Sequence, residues 1–121
     1  MKTNSFNIEN REFIIQIGTN AMENWNLIDK SNHNDLWFHV EGHPSGHVVV
    51  KEITENKTIE YKKDKLFDYP YSLIMECAKL CKNQSKLKNS RCNIVYTNIS
   101  NITKGKEIGS VFIKNEKYIT I

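Results

Sequence analysis

Two strings between Asp35 and Val50 gather an acid, an indole, two histidines and a hydroxyl: Asp35-Leu36-Trp37-Phe38-His39-Val40, then Pro44-Ser45-Gly46-His47-Val48-Val49-Val50. A strand alternates its faces with period two, so Asp35, Trp37 and His39 point one way and Leu36, Phe38 and Val40 the other. The second set is plainly core. The first is unusual for a face meant only to meet water. An imidazole pair with a carboxylate can hold a metal or move protons. A flat indole and imidazole can carry stacked bases. The same groups can also close a core through hydrogen bonds.

Each chemistry makes a geometric demand. His39, His43 and His47 recur every four residues, the ligand spacing of a helix, but Gly42, Pro44 and Gly46 exclude a continuous helix there. Across a hairpin, His39 and His47 still approach each other with Asp35 as an orienting carboxylate, so a three-ligand site is geometrically open. Hydrogen-bonded structural histidines are the plainer alternative, and no metal or cofactor is expected. A hydrolase would combine a His, Asp35 and a nucleophile such as Ser45 or a Cys. Nothing sets that nucleophile on a strained elbow, and no glycine-rich oxyanion or phosphate-cradling loop is present. The expectation is a protein with no catalytic residues and no small-molecule substrate.

The elements that must position these groups are legible around them. Glu41-Gly42-His43-Pro44-Ser45 has the composition of a loop, so the two apolar runs form a hairpin. Glu12 to Ile17 is a β-branched run stopped by Gly18. Asn20 to Lys30 reads as a short helix or ordered loop packing through Trp25. Thr58 to Tyr61 is ambiguous, and a charged Lys62-Lys63-Asp64-Lys65 follows. Asp68 or Tyr69 can start a helix with Pro70 in its first turn. Leu73, Ile74, Cys77, Ala78, Leu80 and Cys81 then form one apolar helix face. Cys77 and Cys81 sit on that face as small hydrophobes; with Cys92 they could ligate a metal only if all three met one polar pocket. Cys92 to Thr97 is a strand, and Gly109–Ile113 with Tyr118–Ile121 form a closing hairpin. The order predicts an α+β fold: a mostly antiparallel sheet built from hairpins, with one principal helix packed on one face.

At 121 residues the chain is read as a single domain, 1–121, large enough for a core without staples. It has no apolar run approaching a membrane span, and its N-terminus leads into no signal-like segment. Three cysteines suit a reducing compartment. The expectation is a cytoplasmic protein with no membrane partner, and the Asn-x-Ser/Thr sequons at Asn56, Asn83, Asn98 and Asn101 are chance matches in an Asn-rich chain. Net charge is +3, unevenly placed: residues 1–60 hold five Lys/Arg against nine Asp/Glu, and residues 61–121 twelve against five. A basic half is a natural seat for a polyanion, though a solvated Lys-rich surface gives the same count.

A nucleic-acid reading combines these features. Trp37 and His39 offer flat surfaces for bases, with His47 beside them. Lys51, Lys79, Lys82, Lys86, Lys88, Arg91, Lys104 and Lys106 can meet phosphates. Lys outnumbers Arg fifteen to two, so the contacts would be point-charge and sequence-tolerant. A mid-strand Trp37 is equally a core residue, with His39 donating to a backbone carbonyl. Asn20 and Asn24 either join the interface or cap and tie the loop after Gly18.

The same residues resemble the NFACT-R domain, an RNA-binding module formerly a domain of unknown function. The Asp35–Val50 string resembles its hallmark. Gly18-Thr19-Asn20, Asn24 and Leu27 resemble its Gly-Arg-Asn, Asn, Leu pattern. Ala78 to Ser85 is similar to its helix ending in Ser. Val95-Tyr96-Thr97, Lys104-Gly105 and Gly109-Ser110-Val111 resemble its closing strands. The likeness runs over roughly residues 12–121. Thr19 stands where the family carries a basic residue, which removes a phosphate contact from that loop.

The resemblance implies a non-catalytic module for structured RNA, tRNA or ribosomal RNA, linked to translation or ribosome-associated quality control. Asn20, Asn24, Trp37, His39, His47, Lys51, Lys82, Lys86, Lys88, Arg91 and Lys104 are its candidate contacts. Larger family members join the domain to an amino-terminal region and a coiled coil. Another arrangement adds a charged coiled-coil tail, with DNA as a possible ligand. This sequence carries neither, so a ribosome or separate protein partner, or a decoy role, enters the expectation. The alternative is a protein-interaction module docking through the Trp37/His39 face.

Overall fold

The computed structural model describes residues 1–54 and 69–121. Along the chain run β1 (Lys2–Ile8), β2 (Arg11–Ile17), α1 (Ala21–Lys30), β3 (Leu36–Val40), β4 (Val48–Glu52), α2 (Tyr71–Asn83), β5 (Asn93–Asn98), β6 (Ile102–Lys104), β7 (Val111–Ile113) and β8 (Lys117–Thr120). A 3-10 turn, Ile99–Asn101, joins β5 to β6. Six strands form one antiparallel sheet in the order β1-β2-β4-β3-β5-β8, and β6-β7 form a separate two-stranded ribbon. The fold is α+β, as expected. The ambiguous Thr58–Tyr61 stretch, the charged Lys62–Lys65 run and the Asp68 helix start lie outside the described residues.

The period-two alternation of β3 and β4 builds two layers at once. Leu36, Phe38, Val40, Val48 and Val50 face the main core, where Leu73, Ile74, Cys77, Ala78 and Cys81 of α2 cover them. Trp37 and Val49 face the opposite side and pack with Leu27, Val95 and Ile99. α1 and the β6-β7 ribbon cover this second face, through Leu27 and Ile28 and through Ile102, Val111 and Ile113. The central hairpin is therefore buried on both sides. All three cysteines are buried in the main core. Desolvation pushes the Cys81 thiol up to about 12 and raises that of Cys77 as well, so both are protonated hydrophobes.

Four features depart from the sequence expectations. β1 is a full strand, paired with β2 from Lys2↔Ile17 to Ile8↔Arg11. Glu9 and Asn10, at φ 52° and 62°, make the two-residue turn between them. Its first four residues are polar and exposed, while Phe6 and Ile8, two apart, are half-buried against the main core. α2 begins at Tyr71 with Pro70 as its N-cap, one position outside the helix. α1 packs through Leu27, while half-buried Trp25 lies against the ribbon, its Nε1 donating to Ser110 O at 2.9 Å.

The closing hairpin does not form. β7 pairs with β6 and β8 pairs with β5. Val111 and Ile113 belong to the layer over Trp37, whereas Ile119 packs against the main core. One hairpin could not serve both faces of the sheet.

Trp37 is 1 % exposed and lies among the largest buried side chains. Trp37→Ala should lower the unfolding free energy by roughly 3–5 kcal/mol in urea titration. Trp37→Phe should cost much less, since it keeps most of the ring and removes an N–H that has no partner. A loss under about 1 kcal/mol for the alanine variant would contradict the packing of the second layer.

Candidate nucleic-acid interface

The site begins at a close junction between the end of β2, the start of α1 and the β3–β4 loop. Asn20 caps α1, its Oδ1 accepting from Glu23 N at 2.9 Å. Glu23 reaches back, its Oε1 accepting from Thr19 N at 2.9 Å and from the Thr19 hydroxyl. This is a capping box displaced by one residue. These bonds hold the Glu23 carboxyl down at about 2, the Thr19 hydroxyl contributing most. One turn on, buried Asn24 accepts from His47 N at 3.0 Å, while His47 O accepts from Gly18 N at 2.9 Å. The approach demands glycine twice. A Cβ on Gly46 would stand 2.1 Å from Gly18 O, and one on Gly18 would stand 2.1 Å from Asn24 Oδ1.

That junction places His47 opposite His39, by extension of the Phe38↔Val48 register. The His39 and His47 ring centroids are 5.3 Å apart and edge-on at 87°. His39 stacks on Trp37 at 5.7 Å and 3°, and His47 meets the indole edge-on at 5.1 Å and 85°. Three rings thus interlock. Burial drives the His47 imidazole down to about 3, helped by repulsion from His39, and burial also lowers His39. Both rings are neutral near pH 7. Trp37 Nε1 and His47 Nδ1 are buried without a hydrogen-bond partner.

A cavity of about 430 Å³ opens beside the imidazole pair, between the start of α1, the β3–β4 loop and the Ile108–Gly109 turn. A second, of about 370 Å³, lies across the same pair, toward Glu41, Val95 and Tyr118. His39 and His47 form the wall between them. Ser45 Oγ accepts from Val40 N at 3.2 Å and lies 3.9 Å from Cys81 Sγ, so it braces the loop. Asp35 accepts from Asn32 N at 2.9 Å at the far end of β3, with Trp37 between it and His39. Among the described residues no three His, Cys, Asp or Glu side chains converge as ligands would.

The candidate contacts separate into groups. Asn20, Asn24, His39 and His47 meet at the first cavity. Trp37 is 1 % exposed, its indole packed in the second layer and reached only at the wall of the second cavity. The exposed face of the ring stack is His39. Lys82 lies in the last turn of α2, and exposed Lys86, Lys88 and Arg91 follow it along the chain. Gln84 brings this end of α2 against the loop, its Oε1 2.8 Å from where a Gly46 Cβ would sit.

Lys104 lies apart from the first cavity, on the side of α1 and the ribbon. Its Nζ is 2.7 Å from Asp29 in a solvent-exposed pair and lies over the Trp25 ring at 5.3 Å. Half-buried Lys51 sits four residues along β4 from His47, about 13 Å away by strand rise, outside the cavity. The sequence reading missed Ile108 and Gly109 at the cavity lip and the exposed aromatic rings of Phe112 (70 %) and Tyr118. Period-two alternation across Val111-Phe112-Ile113 was the available signal, since it turns Phe112 away from its inward neighbours.

Comparison with known proteins gives this geometry a context. The family model described as NFACT protein RNA binding domain matches residues 2–115. "Coiled-coil domain-containing protein 25" of Bos taurus is 30% identical over 121 residues, covering 97% of this chain and 54% of that protein. "Protein JLP2" of Saccharomyces cerevisiae is 34% identical over 96 residues, covering 76% of this chain and 43% of its own. The chain thus spans about half the length of the curated relatives it matches. Among solved structures, the C-terminal part of the fibronectin/fibrinogen-binding protein from Streptococcus suis superposes with a TM-score of 0.71 at 21% identity. It covers 100% of this chain and 45% of that one, and shows the same fold.

The buried imidazole gives the interface a pH signature. His47 takes a proton near 6.5 when unfolded but only near 3 when folded. The unfolded state therefore binds more protons in the window between, and stability is full above about 6.5 and falls as pH drops below it. From pH 7.5 to 5 the unfolding free energy should fall by about 2 kcal/mol on this account. Urea titrations at both pH values check this, with the His47 ring followed by NMR. A His47 resonance that titrates near 6.5 would contradict the burial.

Proposed function

This chain belongs to the NFACT protein RNA-binding domain family, and from that premise we propose that it binds structured RNA, tRNA or ribosomal RNA, without turning it over. The observation that carries this reading is the run of cations Lys82, Lys86, Lys88 and Arg91 at the end of α2, whose Gln84 meets Gly46 in the wall of a cavity with no charged side chain in its lining. Lysines meet phosphates as flexible point charges, which suits recognition of an RNA backbone by position and shape. The uncharged cavity leaves base edges to neutral groups.

The same charge pattern accepts DNA, whose phosphates are equally good partners for lysine, and the comparison with duplex DNA decides between them. A tRNA or ribosomal partner places the protein in translation, with ribosome-associated quality control and the cytoplasm as its setting. No helix among the described residues is long and apolar enough to cross a membrane.

The test is fluorescence anisotropy of labelled tRNA and of a matched DNA duplex from about 50 to 300 mM salt. Affinity for tRNA should fall linearly in log–log form, with a slope near −0.9 or less steep for each phosphate neutralised. Lys82→Glu with Lys86→Glu should weaken tRNA binding at least tenfold while the melting temperature hardly moves. Unaltered affinity would remove the cluster from the interface, and a flat salt response would point to a packed protein partner instead.

A further inference from the structure

We propose that the cavity beside His39 and His47 seats one unpaired nucleobase of the bound RNA, stacked on His39, while Lys82 and Lys86 hold the backbone outside. The proposal rests on the RNA reading above and assigns the base-recognition site within it.

Size, chemistry and shape agree. A volume of about 430 Å³ lies within the range of small-ligand sites, roughly 300–1,000 Å³. Its lining offers the Asn24 amide, the Ser45 hydroxyl and two imidazoles, with no Lys, Arg, Asp or Glu. Burial keeps both imidazoles neutral. A neutral imidazole presents one donor and one acceptor, the vocabulary of a heterocycle edge. An anion is disfavoured here, because the Glu23 carboxylate already occupies the first turn of α1, where it accepts from Thr19 and pairs with the Met1 amino group.

Two further observations point inward. His47 is 3 % exposed, lines the cavity, and has a buried Nδ1 with no partner. Buried polar atoms of this kind are rarely left unpaired except where a ligand or water meets them. The Trp37–His39 stack is parallel within 3°, with the indole innermost and His39 outermost and only half-buried. A base laid on His39 extends that stack, and exposed Ile108 at the lip can cover it from the other side. Unpaired bases splayed from loops and bulges are what proteins read in RNA by stacking and edge hydrogen bonds.

The test compares two labelled RNA duplexes that differ by a single bulged nucleotide, by anisotropy at one salt concentration. The wild-type protein should bind the bulged RNA at least tenfold more tightly. His39→Ala should bring that ratio close to one, and His39→Phe, which keeps a flat ring, should retain most of it. Lys82→Glu with Lys86→Glu should weaken both RNAs together and leave the ratio intact. Equal wild-type affinity for the two RNAs, or a ratio that survives in His39→Ala, would overturn the pocket while the RNA reading stands. Binding of neither RNA would overturn both.

Should His39→Ala fold poorly, the wild-type protein supplies the decision by NMR. The Trp37 indole N–H and His39 ring signals should shift with the bulged RNA and not with the plain duplex. Identical shifts with both would sink the proposal.

Discussion

The hydrogen bond from His47 N to the Asn24 amide oxygen governs where the rest of the site can be. It ties the first turns of α1 to the start of β4, and Gly18 N bonded to His47 O closes the same junction from the end of β2. Because Gly18 and Gly46 lack side chains, three backbones approach within a distance no other residue permits. Helix, strand and hairpin loop thereby share one fixed point. The cavity is the space left around it, bounded by the elements that the junction holds.

Burial on both faces of β3 has an electrostatic consequence. Trp37 secures the second layer, and the imidazoles packed against it lose hydration they do not fully recover as hydrogen bonds. Low local polarity makes the charged imidazolium costly, so the rings remain neutral donors and acceptors. The unpaired Trp37 N–H and His47 Nδ1 are a real cost in a core of this kind, of the order of 1–3 kcal/mol each where nothing meets them. A wall of neutral rings between two cavities is a poor structural choice and a good recognition surface.

Charge is handled elsewhere. Gln84 brings the end of α2 against Gly46, and the exposed cations Lys86, Lys88 and Arg91 follow along the chain, while Lys104 near the ribbon pairs with Asp29. In the proposed reading, phosphate attraction and base recognition fall on distinct surfaces. The division has a physical basis: a phosphate contact works in water, where a flexible lysine suffices, whereas an edge contact needs groups fixed by a packed interior.

Periodicity alone determined much of this protein. The alternation in Asp35–Val40 assigned every side chain to its true face, and the apolar spacing from Leu73 to Cys81 marked the face of α2 that is buried. The glycines and asparagines after β2 announced a tight junction, and Asn24 does tie the loop to the hairpin. Local pattern could not say what covers a face, because coverage comes from residues far along the chain. Trp37 reads as exposed or buried until α1 and the β6-β7 ribbon are seen above it. Val111–Ile113 and Tyr118–Ile121 read as one hairpin until their apolar residues are found on opposite sides of the sheet. Lys104 reads as a free cation until Asp29 is found beside it. The sequence determined which groups share a face; only long-range packing decided which of them meet solvent, and with what charge.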